Sequence, residues 1–200
     1  MNRHGPETAL IVVDVQNDFA DPDGSLSVSG AESVVAAINR EIAAALDAEA
    51  VVVATQDWHP EHTPHFAQDG GPWPVHCVAG TWGADLHPAL ELTETTPRVR
   101  KGANGEDGYS GFSMRDPRSG ATTSTELEGI LRERGVKAVA VVGLATDYCV
   151  KATALDAVRL GFATTVLTDA VAAVDIEPGD GKRALDELRG AGVTIRASLA

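Results

Sequence analysis

"VVGLATDYCVKATALDA" (141–157) changes character at its centre, and the fold follows from how that change is read. Its first residues complete a β-branched run, "KAVAVVGL" (137–144), of the kind that forms a strand buried on both faces. From Thr146 the pattern turns helical, and the spacing predicts a helix over 147–160 that ends where Gly161 can adopt the left-handed conformation. A strand that passes straight into a helix is half of a β-α-β unit. The same alternation recurs along the chain. "ALIVV" (9–13), "AVVVAT" (50–55), "ATTVLT" (163–168) and "GVTIRA" (192–197) read as further strands, and "RVR" (98–100) as a short one. Val34, Val35, Ile38, Ile42, Ala45 and Leu46 repeat at helical spacing within a predicted helix over 32–48. Two more helices are predicted over 125–134 and 179–189. The expected class is α/β, a three-layer αβα arrangement with a mainly parallel sheet of about six strands and helices on both faces.

Two hundred residues suit a single domain over 1–200, because chains usually divide only above about 250–300 residues. A long Gly-, Pro-, His- and Asp-rich section at about 56–120 interrupts the alternation, and loops of that length in a compact domain are usually functional. Hydrophobic residues at 44% and charged ones at 22% are ordinary for a globular chain and too apolar for disorder. A net charge of -13 argues against nucleic acid as a partner, since phosphates are held by clustered Lys and Arg. The apolar run after the N-terminus stops at Asp14, too short for a signal-peptide core, and no stretch approaches a membrane span. The expectation is a soluble cytoplasmic protein. Its two cysteines, Cys77 and Cys149, make no disulfide framework, so each is kept for packing, metal or chemistry. "VVDVQNDF" (12–19) stands where a dinucleotide-binding glycine motif would follow the first strand, and no phosphate-binding loop motif occurs.

In open α/β sheets, ligands bind beyond the carboxyl ends of the strands. Asp14 closes the first strand, Asp57 and His59 follow the second, Lys101 follows "RVR", and Cys149 follows "KAVAVVGL". Asp57 and His59 are two residues apart, so on extended backbone both side chains leave one face. With His76 from "PWPVHCV" they form a two-imidazole, one-carboxylate set suited to Zn, Fe or Mn with open positions. His65 is a candidate fourth ligand, and Cys77 is expected to pack inward as a small apolar group. The plainer alternative is loop histidines bonded to backbone or solvent.

With Thr146 as N-cap, Cys149 occupies the third helical position, where free N–H groups and the helix dipole favour an anion. A neighbouring Lys101 would lower the thiol pKa further, and Asp14 would supply a proton acceptor and donor. The N–H groups of the "GLAT" turn are candidates for an oxyanion hole. Singly, each residue has a structural reading: a buried helix cysteine, a cap for "QNDF", a solvated lysine. Convergence on one rim favours the chemical one.

Five motifs in order, "VVDVQNDF", "TQDWHP" (55–60), "GGPWPVHCVAGTWGA" (70–84), "RKGANGEDGYSGF" (100–112) and "GLATDYCVKATALDA" (143–157), resemble the isochorismatase-like cysteine hydrolases. The resemblance covers about 9–174 and implies the fold of that family. It implies hydrolysis of nicotinamide to nicotinate and ammonia, the deamidation step of NAD salvage, and also hydrolysis of pyrazinamide. Asp14, Lys101 and Cys149 match the family's catalytic residues, and Asp57, His59 and His76 its ligands for one divalent metal ion, Zn foremost, with Fe or Mn as alternatives. His65 stands where some members add a ligand and many carry serine. Leu144 and Ala145 match a pair joined by a cis peptide that turns the Ala145 and Cys149 N–H groups toward the substrate oxygen. Phe19, Trp73, Leu144 and Ala145 fall at the substrate pocket, and homo-oligomers occur in the family. Three other readings stay beside this one: a related amidohydrolase such as an N-carbamoyl amidase, a two-His-one-carboxylate Fe(II) oxygenase, and a metal- or redox-sensing module built on the cysteines.

Overall fold

The computed structural model describes residues 4–198. The chain runs β1 (Thr8–Val13), α1 (Asn17–Ala20), α2 (Ala31–Asp47), β2 (Val51–Asp57) and β3 (Arg98–Lys101). It continues through a hairpin, β4 (Ser113–Arg115) and β5 (Thr122–Ser124), to α3 (Leu127–Glu133) and β6 (Ala138–Leu144). A π-helical turn, Thr146–Val150, then leads into α4 (Lys151–Arg159), followed by β7 (Ala163–Ala172), α5 (Asp180–Gly190) and β8 (Thr194–Arg196).

Six strands form one parallel sheet in the order β3-β2-β1-β6-β7-β8. β2 is buried along its whole length, and β1 and β6 at every residue after their first, which is why their sequences read as continuous apolar runs. Alternate residues serve opposite faces. On one face Leu10, Val12, Val52 and Val142 pack with Val34, Ile38 and Ile42 of α2. On the other Ile11, Val53 and Val141 pack with Leu131 of α3, Ala154 of α4 and Leu188 of α5. Helices thus cover both faces, as the alternation predicts.

The chain starts in the middle of the sheet, winds outward through β2 and β3, then returns to the other side of β1 with β6. Such a reversal opens a crevice at the carboxyl ends of the two central strands, here β1 and β6. The two ends are drawn tightly together. A Cβ on Gly143 would lie 2.1 Å from the Val13 carbonyl oxygen, and its φ of +112° is one that glycine alone adopts freely.

Two local expectations change. The helix expected from Asp147 begins instead as a π turn whose N-cap is Ala145, not Thr146, and regular α geometry starts at Lys151. The hairpin β4–β5 has no counterpart in the sequence reading, because "SMR" and "TTS" carry no apolar alternation and β5 is fully exposed. Among the described residues no helix is long and apolar enough to cross a membrane.

Candidate active site and metal-binding cluster

Four strand ends deliver the reactive side chains. Asp14 follows β1 with φ +49°, Asp57 and Lys101 end β2 and β3 in register with each other, and Cys149 lies in the π turn after β6. Lys101 is the centre of this group. Fully buried, its Nζ donates to Asp14 Oδ2 at 2.7 Å, to Asp57 Oδ1 at 2.5 Å and to the Gly108 carbonyl at 2.5 Å, and lies 3.9 Å from Cys149 Sγ. The other Asp14 oxygen accepts from the Thr55 hydroxyl at 2.6 Å. A buried ammonium survives only when paired and fully hydrogen-bonded, and these contacts hold Lys101 charged, its pKa well above the usual value despite burial.

One ammonium faces two carboxylates, and the two respond differently. Burial raises the Asp14 pKa to about 6 against the pull of Lys101, with Asp57 adding to the rise. Burial also pushes Asp57 up, but Lys101 and the neighbouring imidazoles outweigh it and hold Asp57 well below the usual carboxylate range. Asp14 is therefore the carboxylate of the pair that takes a proton near neutrality.

The thiol departs from expectation. Burial pushes Cys149 up, Lys101 pulls it down, and the negative charges of Asp14 and Asp57 cancel much of that pull, so its pKa lies well above the ordinary value rather than below it. Helix position and one lysine favoured a thiolate; the carboxylates that neutralise the lysine come from β1 and β2. A resting thiol at this place needs a base, and an Asp14 carboxylate oxygen lies within 4.8 Å of its sulfur.

Beside this group stands a cluster of imidazoles. Ligand atoms of His59, His65 and His76 all lie within 4.8 Å of one another, and all three residues are buried. Asp57 Oδ2 is 3.8 Å from His59 Nε2 and 3.9 Å from His76 Nε2. His76 Nδ1 donates to the Pro74 carbonyl at 2.8 Å, which leaves Nε2 as its lone-pair nitrogen, and His65 Nδ1 faces Asp107 Oδ1 at 3.4 Å. Burial lowers the His65 pKa to about 3, so the ring is neutral. His59 is the informative member: it is fully buried, and neither ring nitrogen has a hydrogen-bond partner. Buried polar atoms are rarely left so, and a divalent ion held by Asp57, His59 and His76, with His65 beside them, would satisfy one of the two nitrogens. The residues fit such an ion. Gly102, at φ +78°, makes room for the His59 ring: a Cβ there would lie 2.5 Å from His59 Cε1.

A cleft with about 380 Å³ of empty space, open to solvent, reaches both groups. Cys149, Asp57, His65, His76 and Ala145 line it, together with the expected Phe19 and Trp73. Leu144 does not: it is 1% exposed and packs in the core on the α2 face of the sheet, so of the expected pair only Ala145 reaches the cleft. The Leu144–Ala145 peptide is cis, as the resemblance implies. Tyr109 and Tyr148 complete an aromatic wall that sequence reasoning missed, although both lie inside quoted motifs. The Trp73 indole N–H donates to the Tyr109 hydroxyl at 2.8 Å, and Tyr148 meets Trp73 edge-on at 4.8 Å. Nothing in either motif showed which way the rings point. Cys77 is fully buried and packs in the core cluster that holds α2, while Cys149 belongs to the other, so the two thiols do not act as a pair.

The isochorismatase domain model matches residues 8–198. A nicotinamidase/pyrazinamidase of Mycobacterium tuberculosis is 45% identical, the match covering 95% of this chain and 98% of that one. A pyrazinamidase of Pyrococcus horikoshii in complex with zinc superposes with a TM-score of 0.86 at 41% identity, over 96% of this chain and 100% of the other. The L. infantum protein PnC1 in complex with nicotinate gives a TM-score of 0.86 at 39% identity, over 97% and 94% of the respective chains.

Proposed function

Because the chain belongs to the isochorismatase family, with the family model matching residues 8–198, we propose that it is a nicotinamidase, an amidohydrolase that converts nicotinamide to nicotinate and ammonia and also acts on pyrazinamide. One observation carries the reading. A thiol that lines an aromatic cleft stands beside a fully buried carboxylate with a pKa near 6 and a fully buried ammonium, next to a cluster of imidazoles.

Asp14 takes the proton of the Cys149 thiol as sulfur attacks the carboxamide carbon. The oxygen's developing charge is met by the N–H groups of Ala145 and Cys149. Lys101 holds Asp14 in place and keeps the anionic set neutralised while the thiolate forms. Asp14 then returns the proton to the leaving nitrogen, ammonia departs, and a thioester to Cys149 remains. Water cleaves that thioester with Asp14 again as base, which gives the carboxylate product and restores the thiol. Phe19, Trp73, Tyr109 and Tyr148 enclose the ring and exclude bulk water. A zinc ion held by Asp57, His59, His76 and His65 would supply a Lewis acid that binds the ring nitrogen and polarises water. Asp107 would orient His65 toward it, and the Pro74 carbonyl His76. A thiol nucleophile must stay reduced, which fits the cytoplasm.

The test is ammonia release from nicotinamide by wild type, by Cys149→Ala and by wild type stripped of metal. Activity that is abolished by Cys149→Ala and restored to the stripped enzyme by zinc is expected. Full turnover in Cys149→Ala would sink the mechanism; hydrolysis of an N-carbamoyl amine in preference to nicotinamide would replace the substrate.

A further inference from the structure

Asp18 is a buried carboxylate that this chemistry leaves unused. It lies in "QNDF", next to the cleft residue Phe19, and is 8% exposed. Its Oδ2 accepts the Cys77 N–H at 2.6 Å, its Oδ1 accepts the Ser25 N–H at 3.0 Å, and its backbone carbonyl accepts the Leu26 N–H at 3.0 Å. Both loops it holds are walls of the cleft. Cys77 follows His76, and its carbonyl accepts the His59 N–H at 3.0 Å; Ser25 precedes Leu26 and Val28, which also line the cleft. The Phe19 ring itself lies 5.4 Å from His76.

A second, independent feature marks the same point. A Cβ on Gly83 would lie 2.1 Å from Asp18 Oδ2, although the Gly83 backbone is not left-handed. Space for the carboxylate, not conformational freedom, is what glycine supplies there. Two N–H groups aimed at two oxygens also require an acid rather than an amide, because an amide would turn its NH2 against one of them.

We propose that Asp18 is a positioning residue that locks the 70–84 loop, with Trp73 and His76, to the 21–28 segment, with Leu26 and Val28. One carboxylate thereby sets the metal cluster and the ring site relative to each other. The inference deepens the function proposed above and rests on it for what the cleft binds; the lock itself does not depend on substrate.

Amide hydrogen exchange on metal-free, full-length wild type, Asp18→Asn, Asp18→Ala and Gly83→Ala reads the lock directly. Exchange should rise about 10-fold or more at both Cys77 and Ser25 in Asp18→Ala and Gly83→Ala, and at one of the two at least in Asp18→Asn, with β1 and β6 unchanged. A rise at one loop alone in Asp18→Ala or Gly83→Ala, or at neither loop in Asp18→Asn, overturns the proposal. Zinc affinity, measured by chelator competition, should fall about 10–100-fold in Asp18→Asn. Wild-type affinity in a variant with loosened loops overturns the positioning role. Gly83→Ala should add little in an Asp18→Ala background, and additive losses would show that the glycine serves something else. Where Asp18→Ala fails to fold, Asp18→Asn and Gly83→Ala carry the exchange test. A wild type that releases no ammonia defeats the proposed function, and hydrogen exchange still decides the lock.

Discussion

The two halves of the site are built on opposite principles. In the Asp14–Lys101–Asp57 group the strong polar atoms meet one another: the ammonium has three oxygen acceptors, and both Asp14 oxygens are engaged. In the imidazole cluster His59 is fully buried and neither ring nitrogen has a hydrogen-bond partner. The protein alone completes the first half, whereas the second has the unpaired nitrogens that the proposed cation would use. Proton transfer demands groups whose charge is balanced before substrate arrives; metal binding demands lone pairs held apart from every competing proton.

The largest expected effect separates the halves by activity. Cys149→Ala should lower ammonia release by about 10⁴-fold or more while zinc affinity stays at the wild-type level. Lys101→Met should break the balance of the first half, because two buried carboxylates then lose their counter-charge. A loss of about 3–5 kcal/mol in urea unfolding at pH 7 is expected, with partial recovery in acid as Asp14 takes up a proton. Asp14→Asn should cost about 10²–10⁴-fold in kcat/KM.

The pH profile sharpens the same point. Asp14 acts as a base, so activity should be present above its pKa and fall as pH drops through about 6. A profile flat down to pH 5 would assign the base elsewhere. The imidazole half should answer to metal instead. Zinc at about 100 times its Kd should stabilise wild type by about 2.7 kcal/mol in thermal melts, and His59→Ala should abolish that gain. The smallest effect is expected for His65→Ala, a loss of about 10–100-fold in zinc affinity, with Asp107 keeping Arg115 as its partner.

The legible parts of the molecule are those in which one local pattern settles the outcome. β1, β2 and β6 announce themselves because strands buried on both faces must be apolar throughout, and α2 because one face must be. The strand-end rule brought Asp14, Asp57, Lys101 and Cys149 to one rim from sequence order alone. The missed features depend on distant partners. Thr146 has the residue type of an N-cap, yet the tightly held β6 terminus moves that position to Ala145 and opens a π turn. Leu144 faces α2, and Tyr109 and Tyr148 face the cleft, by turns of backbone that no spacing encodes.

The sequence by itself determined the alternating α/β architecture, the rim on which the reactive side chains gather and the family to which they belong. Tertiary structure alone decided their charges. A pKa answers to burial and to every group within a few ångströms, and Lys101 meets Asp14 across 87 residues and Asp57 across 44, so the Cys149 thiol, placed where a helix start would ionise it, is pushed up by burial first and by the two carboxylates that offset Lys101 second.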